Sequence, residues 1–215
     1  MHANDTNQPD NADPSAAPVP APAEVKRRTN WTLFLVIAVC AAPVLLSYFT
    51  YYVIKPQSRT NYGELIDPRQ YPIPDLGATT LDGKPASLKD YAGKWLMLQA
   101  DVAACDKPCT DKLYWQRQLR TAQGKEMERV ERIWLVLDDQ PISTALIKEY
   151  DGTRILRVDA GKLAAWLPVP PNGNVTEHMY MIDPLGNLMM RWPKDPDANK
   201  IKKDIIKLLK ASSIG

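Results

Sequence analysis

An excess of charge is the first thing missing. Basic residues outnumber acidic ones by only two, for a formal net charge of +2. No basic stripe or arginine-rich segment runs through the chain, so the electrostatic footprint of a nucleic-acid binder is absent. Histidine is scarcer still. There are two, His2 and His178, beside three cysteines, Cys40, Cys105 and Cys109. Any imidazole chemistry in a folded domain therefore falls to His178, and a closed zinc site of four side chains has no ligand set. Internal repeats are also lacking. At 215 residues the chain has room for one domain of ordinary size and its appendages.

What is present begins with proline. The run "PSAAPVPAPAEV" packs prolines between Pro14 and Pro22, and residues 1–30 read as a disordered tail. Residues 31–54, "WTLFLVIAVCAAPVLLSYFTYYVI", carry no charge over 24 positions, enough for a helix to cross a bilayer. Pro43 is compatible with such a span, because neighbouring groups satisfy the freed carbonyl. Cys40 inside it reads as a small apolar residue. The run is too long for the core of a signal peptide, and no small-x-small cleavage site follows it. Lys26, Arg27 and Arg28 precede the span closely, whereas Lys55 and Arg59 are more dispersed behind it. The positive-inside rule then puts the N-terminus in the cytoplasm, with Tyr48, Phe49, Tyr51 and Tyr52 as an aromatic belt at the outer surface. Asp5, Asp10 and Asp13 disfavour a mitochondrial presequence. The expectation is a single-pass protein of the bacterial inner membrane whose C-terminal domain faces the periplasm.

A polar connector over 55–70 leads into a domain at 71–215. "TTLDGKPASL" signals a hairpin, because Asp-Gly supplies the positive φ angles of a tight turn. "KWLMLQA" and "VERIWLVLDD" read as strands buried on both faces. Between them a helix runs from Pro108 to about Gln123 and is closed by Gly124. "ISTALIKEY" reads as a helix, "RILRVD" as a short strand, and "GKLAAWL" as one or two helical turns. "HMYMIDPLGNLMMRW" is a hairpin, with its methionines in packing positions. "DANKIKKDIIKLLKAS" closes the chain as an amphipathic helix. Strands alternating with helices make an α/β sandwich. The order, with a cysteine pair at the mouth of the first helix after a long strand, resembles a thioredoxin-like fold: a central mixed sheet flanked by helices, with an N-terminal hairpin.

Chemistry gathers in "DVAACDKPCTDKLYW", residues 101–115. Cys105 lies in the loop and Cys109 in the first helical turn, where unpaired N–H groups and Lys107 favour a thiolate while Asp101, Asp106 and Asp111 oppose it. Thiolate is the form that attacks a disulfide and also the form that binds a metal. A purely structural disulfide across three residues closes too short a loop to restrict the unfolded chain much. The pair therefore reads as functional, either as redox thiols or as metal ligands.

"DLGATTLDGKPASLKDYAGKW", the C-x-x-x-C at Cys105 and Cys109, and "TEHMYMIDPLGNL" together resemble the Sco/SenC family of membrane-anchored copper proteins. The resemblance implies a tethered thioredoxin-like domain that binds one copper ion through Cys105, Cys109 and His178, with Glu177 just before the histidine. It also implies a chaperone role in assembling the copper site of cytochrome c oxidase, with oxidase subunit II as partner. Two soft thiolates suit Cu(I), and an added imidazole lets the same site hold Cu(II). The family's usual prolines after each cysteine are replaced here by Asp106 and Thr110. Two alternatives stay open beside the copper chaperone. One is a thiol–disulfide oxidoreductase that uses Cys105 and Cys109 to reduce a partner's cysteines; the other is an anchored interaction domain with neither activity.

Overall fold

Two long runs of apolar residues set the centre of the domain. In the computed structural model, which describes residues 30–54 and 61–214, these runs form β3 (Trp95–Asp101) and β4 (Val130–Val136). Every residue of both is buried, as parallel strands covered by helices on both faces require. They pair in parallel, with Trp95 opposite Val130 and Asp101 opposite Val136.

Five shorter strands complete one mixed sheet: β1 (Glu64–Leu65), β2 (Thr79–Thr80), β5 (Arg154–Arg157), β6 (Met179–Ile182) and β7 (Leu188–Arg191). The order across it is β1-β7-β6-β3-β4-β5-β2. β6 runs antiparallel to β3, and β5 runs parallel to β4. The expected hairpin at the start of the domain is present around Gly83, whose positive φ of 74° makes the turn.

Helices cover both faces. On one, α2 (Lys107–Thr121) and α5 (Ala198–Ala211) enclose Met97, Met179, Met181, Met190 and Trp192. The late-hairpin methionines are thus packing residues. On the other, α4 (Ala160–Trp166) lies over Leu96, Leu98, Tyr180 and Ile182. The short helix α3 (Thr144–Glu149) precedes β5. This is the mixed, helix-flanked sheet of a thioredoxin-like fold.

The described residues that open the domain do more than connect. β1 joins the sheet edge beside β7, pairing Glu64 with Arg191. The buried Asp204 carboxylate accepts the backbone N–H groups of Tyr62 (3.0 Å) and Gly63 (2.8 Å). Gly63 sits where a Cβ would come within 2.6 Å of the Met190 sulfur, so only glycine allows this close approach. The stretch expected as connector is thus in part built into the domain.

The chain divides into two compact units, Met1–Gln57 and Ser58–Gly215. In the first, α1 (Trp31–Phe49) continues into a wider π-helical turn at Thr50–Ile54. Trp31–Tyr52 is long and apolar enough to cross a membrane, and none of its most apolar stretch is buried in the protein. The tail at 1–29 with its basic cluster, His2, and the flanking Lys55 and Arg59 lie outside the described residues.

Candidate functional site

The chain turns sharply at the C-terminal end of β3. Cys105 takes a left-handed conformation, φ 39°, and its N–H donates to the Val102 carbonyl. A non-glycine residue in that region is strained by about a kilocalorie or more, so it persists only where surrounding contacts impose it. Asp106 then caps α2, its carboxylate accepting the Cys109 N–H at 3.2 Å. Pro108 falls within the first turn, where its missing N–H costs nothing. The helix thus starts one residue before the expected Pro108, with Cys105 in the loop and Cys109 in the first turn as expected.

Cys105 and Cys109 are joined in a disulfide, their Cα atoms 5.1 Å apart. Cys109 is wholly buried, while Cys105 keeps a sliver of exposure at 7 %. The Gln99 side-chain amide approaches the Cys109 sulfur at 3.8 Å. The bond packs in an apolar cluster with Ala103, Leu113, Trp134, Val136 and Tyr150.

One helical turn beyond Cys109 is a group that patterning did not single out. Lys112 is buried, and its ammonium donates to Asp101 at 3.0 Å and to the Thr176 carbonyl. It therefore ties the end of β3 and the start of α2 to the turn that precedes β6. That turn, Val175–Glu177, is closed by a capping box between Asn174 and Glu177. A lysine at a helix position reads as solvated, and only its spacing from Asp101 and Cys109 marks it out.

The same turn delivers His178, but to the other side of the sheet. Met179 is directly opposite Gln99 on β3, so both point to the α2 face where Cys109 lies. His178 precedes Met179 with extended backbone, φ −121° and ψ 154°, and so points to the opposite face. There its ring meets Tyr180 edge-on at 6.2 Å. Its Nδ1 is 2.9 Å from the Trp192 carbonyl, and its Nε2 is buried without a hydrogen-bond partner among the described residues. Burial holds its pKa below the ordinary histidine value. It lines a hollow of about 490 Å³ with Pro170, Pro171 and Arg191, apart from the cysteines.

The predicted trio is therefore not assembled in this disulfide form. The structure brings Cys105 and Cys109 together and leaves His178 on the far face. Among the described residues no three His, Cys, Asp or Glu side chains converge as a metal site would need. Glu177, beside His178, lines the same hollow and is held in an ion pair with Lys194 at 2.7 Å, which holds its carboxyl below the usual range. Cys40 lies in α1 with a free thiol.

A groove of about 590 Å³ opens between the start of α2 and the turn before β6. It is lined by Asp106, Lys107 and Pro108, the three residues between the cysteines, and by Met179 and Trp115 among others. The disulfide is thus backed by apolar side chains, and the residues between its cysteines line the groove.

Comparison with known proteins places the fold. The sequence matches the family described as transmembrane-like, thioredoxin-like, C-terminal domain over residues 95–212. No curated protein matches it. Among solved structures it is similar to a SCO1/SenC family lipoprotein from Bacillus anthracis, at 20 % identity and a TM-score of 0.50, over 67 % of this chain and 99 % of that one. Yeast Sco1 aligns at 18 % identity and 0.48, over 65 % and 100 %. The copper-bound ScoI of Bradyrhizobium japonicum aligns at 17 % and 0.45, over 67 % and 98 %. At 20 % identity the likeness to the Bacillus anthracis structure is one of fold, and the copper is that of the Bradyrhizobium japonicum protein. More than half of the chain matches the family, and the chain belongs to it: a transmembrane-like protein with a thioredoxin-like C-terminal domain.

Proposed function

We propose that the protein is a membrane-anchored thiol–disulfide module whose Cys105–Cys109 pair alternates between disulfide and dithiol. The observation that carries this reading is the disulfide itself: it sits at the mouth of α2 with Cys109 wholly buried and Cys105 slightly exposed, and the three residues that bridge the cysteines line a cleft. In the reduced pair Cys105 is the attacking thiol, being the one with exposure. Its thiolate bonds to one sulfur of a partner disulfide and releases the other as thiol. Cys109 then attacks Cys105 in the mixed disulfide, freeing the partner's second thiol and restoring the bond. Two electrons pass to the partner, and the protons of the two thiols leave with the partner's thiols. In this reading α1 holds the domain at the outer face of a bacterial inner membrane, the N-terminus being cytoplasmic. A partner with a cysteine pair that must stay reduced, as in the copper site of cytochrome c oxidase subunit II, fits this chemistry.

The test is covalent trapping by the full chain in its membrane. A Cys109→Ser variant accumulates a mixed disulfide through Cys105, whereas Cys105→Ser does not. Equal trapping by both, or by neither, overturns the assignment.

Copper delivery is the second reading, and one observation favours it. The Nδ1 of His178 is engaged by a backbone carbonyl while Nε2 is left without a partner among the described residues, the way outer contacts present a metal-binding imidazole. Reduced Cys105 and Cys109 supply the soft pair that Cu(I) prefers. For His178 to complete one copper site per domain, the turn before β6 must reverse its side chain across the sheet. Copper binding by the reduced chain that is lost on His178→Ala supports this reading; retention in full excludes the histidine.

A further inference from the structure

Resting on the thiol–disulfide reading, we infer that the groove lined by the three residues between Cys105 and Cys109 selects a partner polypeptide whose cysteine is flanked by basic residues. The charges lining it are unequal: five carboxylates face three ammonium groups. Each ammonium is already engaged, Lys107 by Asp111 at 2.7 Å, Lys112 by Asp101 at 3.0 Å and Lys194 by Glu177 at 2.7 Å. Among the described residues Asp106 and Asp195 make no salt bridge within 4 Å, although Asp195 adds to the field that favours the Lys194 ammonium, and both lie exposed in the lining of the cleft. Asp106 spends one oxygen on the Cys109 N–H and holds its charge next to Cys105. Asp195 is presented by a left-handed backbone turn, φ 52°. The charge of Asp106, and in part that of Asp195, is thus open to a cation brought by a partner.

The apolar lining fixes what else the partner carries. Trp115 is 38 % exposed, and it shares the groove with Pro108, Met179 and Pro196. An aromatic platform beside two prolines accepts an extended chain with an apolar side chain. The occupant that satisfies both features is an extended segment with a cysteine in disulfide linkage, Lys or Arg beside it, and an apolar residue nearby. An acidic segment meets repulsion from Asp106 and Asp195 in the groove.

The test is single-turnover reduction of synthetic peptides by the pre-reduced full chain in neutral detergent. Each peptide carries one cysteine in a disulfide with a small uncharged thiol, flanked by Lys-Lys, Ser-Ser or Glu-Glu. Cys105 displaces the small thiol, and Cys109 then releases the peptide thiol as the protein disulfide forms. Two partly screened charge contacts make the basic peptide about fivefold faster than the neutral one at low ionic strength, with the acidic one slower again. The ranking collapses in the Asp106→Ser, Asp195→Asn double variant, in which the introduced serine hydroxyl still caps α2, and it weakens in salt. Equal rates for the three peptides, or a ranking unchanged in the double variant, overturn the inference. If no peptide is reduced although both thiols titrate as free, the thiol–disulfide reading itself fails, so the two failures are distinguishable.

Discussion

Removing the Lys112 ammonium tests whether the buried ion pair organises the site. Its side chain and that of Asp101 are 10 % and 12 % exposed, so neither charge is well solvated. In a Lys112→Met variant the alkyl stem keeps its packing, but the carboxylate loses its cation and the Thr176 carbonyl its donor. Breaking a buried pair from one side costs about 3 kcal/mol, a large share of the roughly 10 kcal/mol by which a domain of this size is stable. With a urea dependence of about 2 kcal/mol/M, the unfolding midpoint falls by about 1.5 M. Tryptophan fluorescence reports the transition, since Trp95, Trp134, Trp166 and Trp192 are all buried. Removing both partners in Asp101→Leu, Lys112→Met recovers most of the loss, because an apolar pair leaves no orphaned charge. A loss below about 1 kcal/mol in the single variant, or no recovery in the double one, refutes the reasoning.

Other expectations follow from the same geometry. Asp204→Ala removes the acceptor shared by Tyr62, Gly63 and the Trp192 indole at 3.2 Å, and should cost about 3 kcal/mol in urea denaturation. Reduction of the disulfide opens only the short loop between Cys105 and Cys109, so the same assay under reducing conditions should show a loss of about 2 kcal/mol or less. Burial lowers the pKa of His178, so the folded state favours the neutral ring. Its contribution is therefore complete above the unfolded value of about 6.5 and is lost as the pH falls through the depressed folded value. The stability difference between the wild type and His178→Gln should shrink on acidification from about pH 7 to about pH 5; a difference that grows would contradict the burial.

Most of the architecture was legible from the sequence because its elements announce themselves by period. The apolar runs at 95–101 and 130–136, the Asp82-Gly83 turn and the spaced apolar residues of α5 are local signals, and each element appears where its pattern lies. β1 was not legible, since two exposed residues carry no alternation and are ordered by Asp204, 141 residues beyond Gly63, and by a close contact that only Gly63 permits. The site was half legible. C-x-x-x-C at a helix start fixes its own neighbourhood, whereas the face to which His178 points depends on the register of β6 against β3. Met179 to Ile182 is buried throughout, so its sequence offers no polar side from which that face can be read. Lys112 escaped notice for a related reason, because a lysine on a helix is ordinarily solvated and only tertiary contacts reveal a buried one.

The central claim is that Cys105 and Cys109 form a working dithiol couple. It is tested most directly by reducing the full chain in detergent, removing the reductant, and counting disulfides reduced in an excess of a simple peptide disulfide. The account predicts one disulfide reduced per chain, with re-formation of the Cys105–Cys109 bond and no turnover by Cys105→Ser. Two titratable thiols that leave the peptide disulfide intact would contradict it.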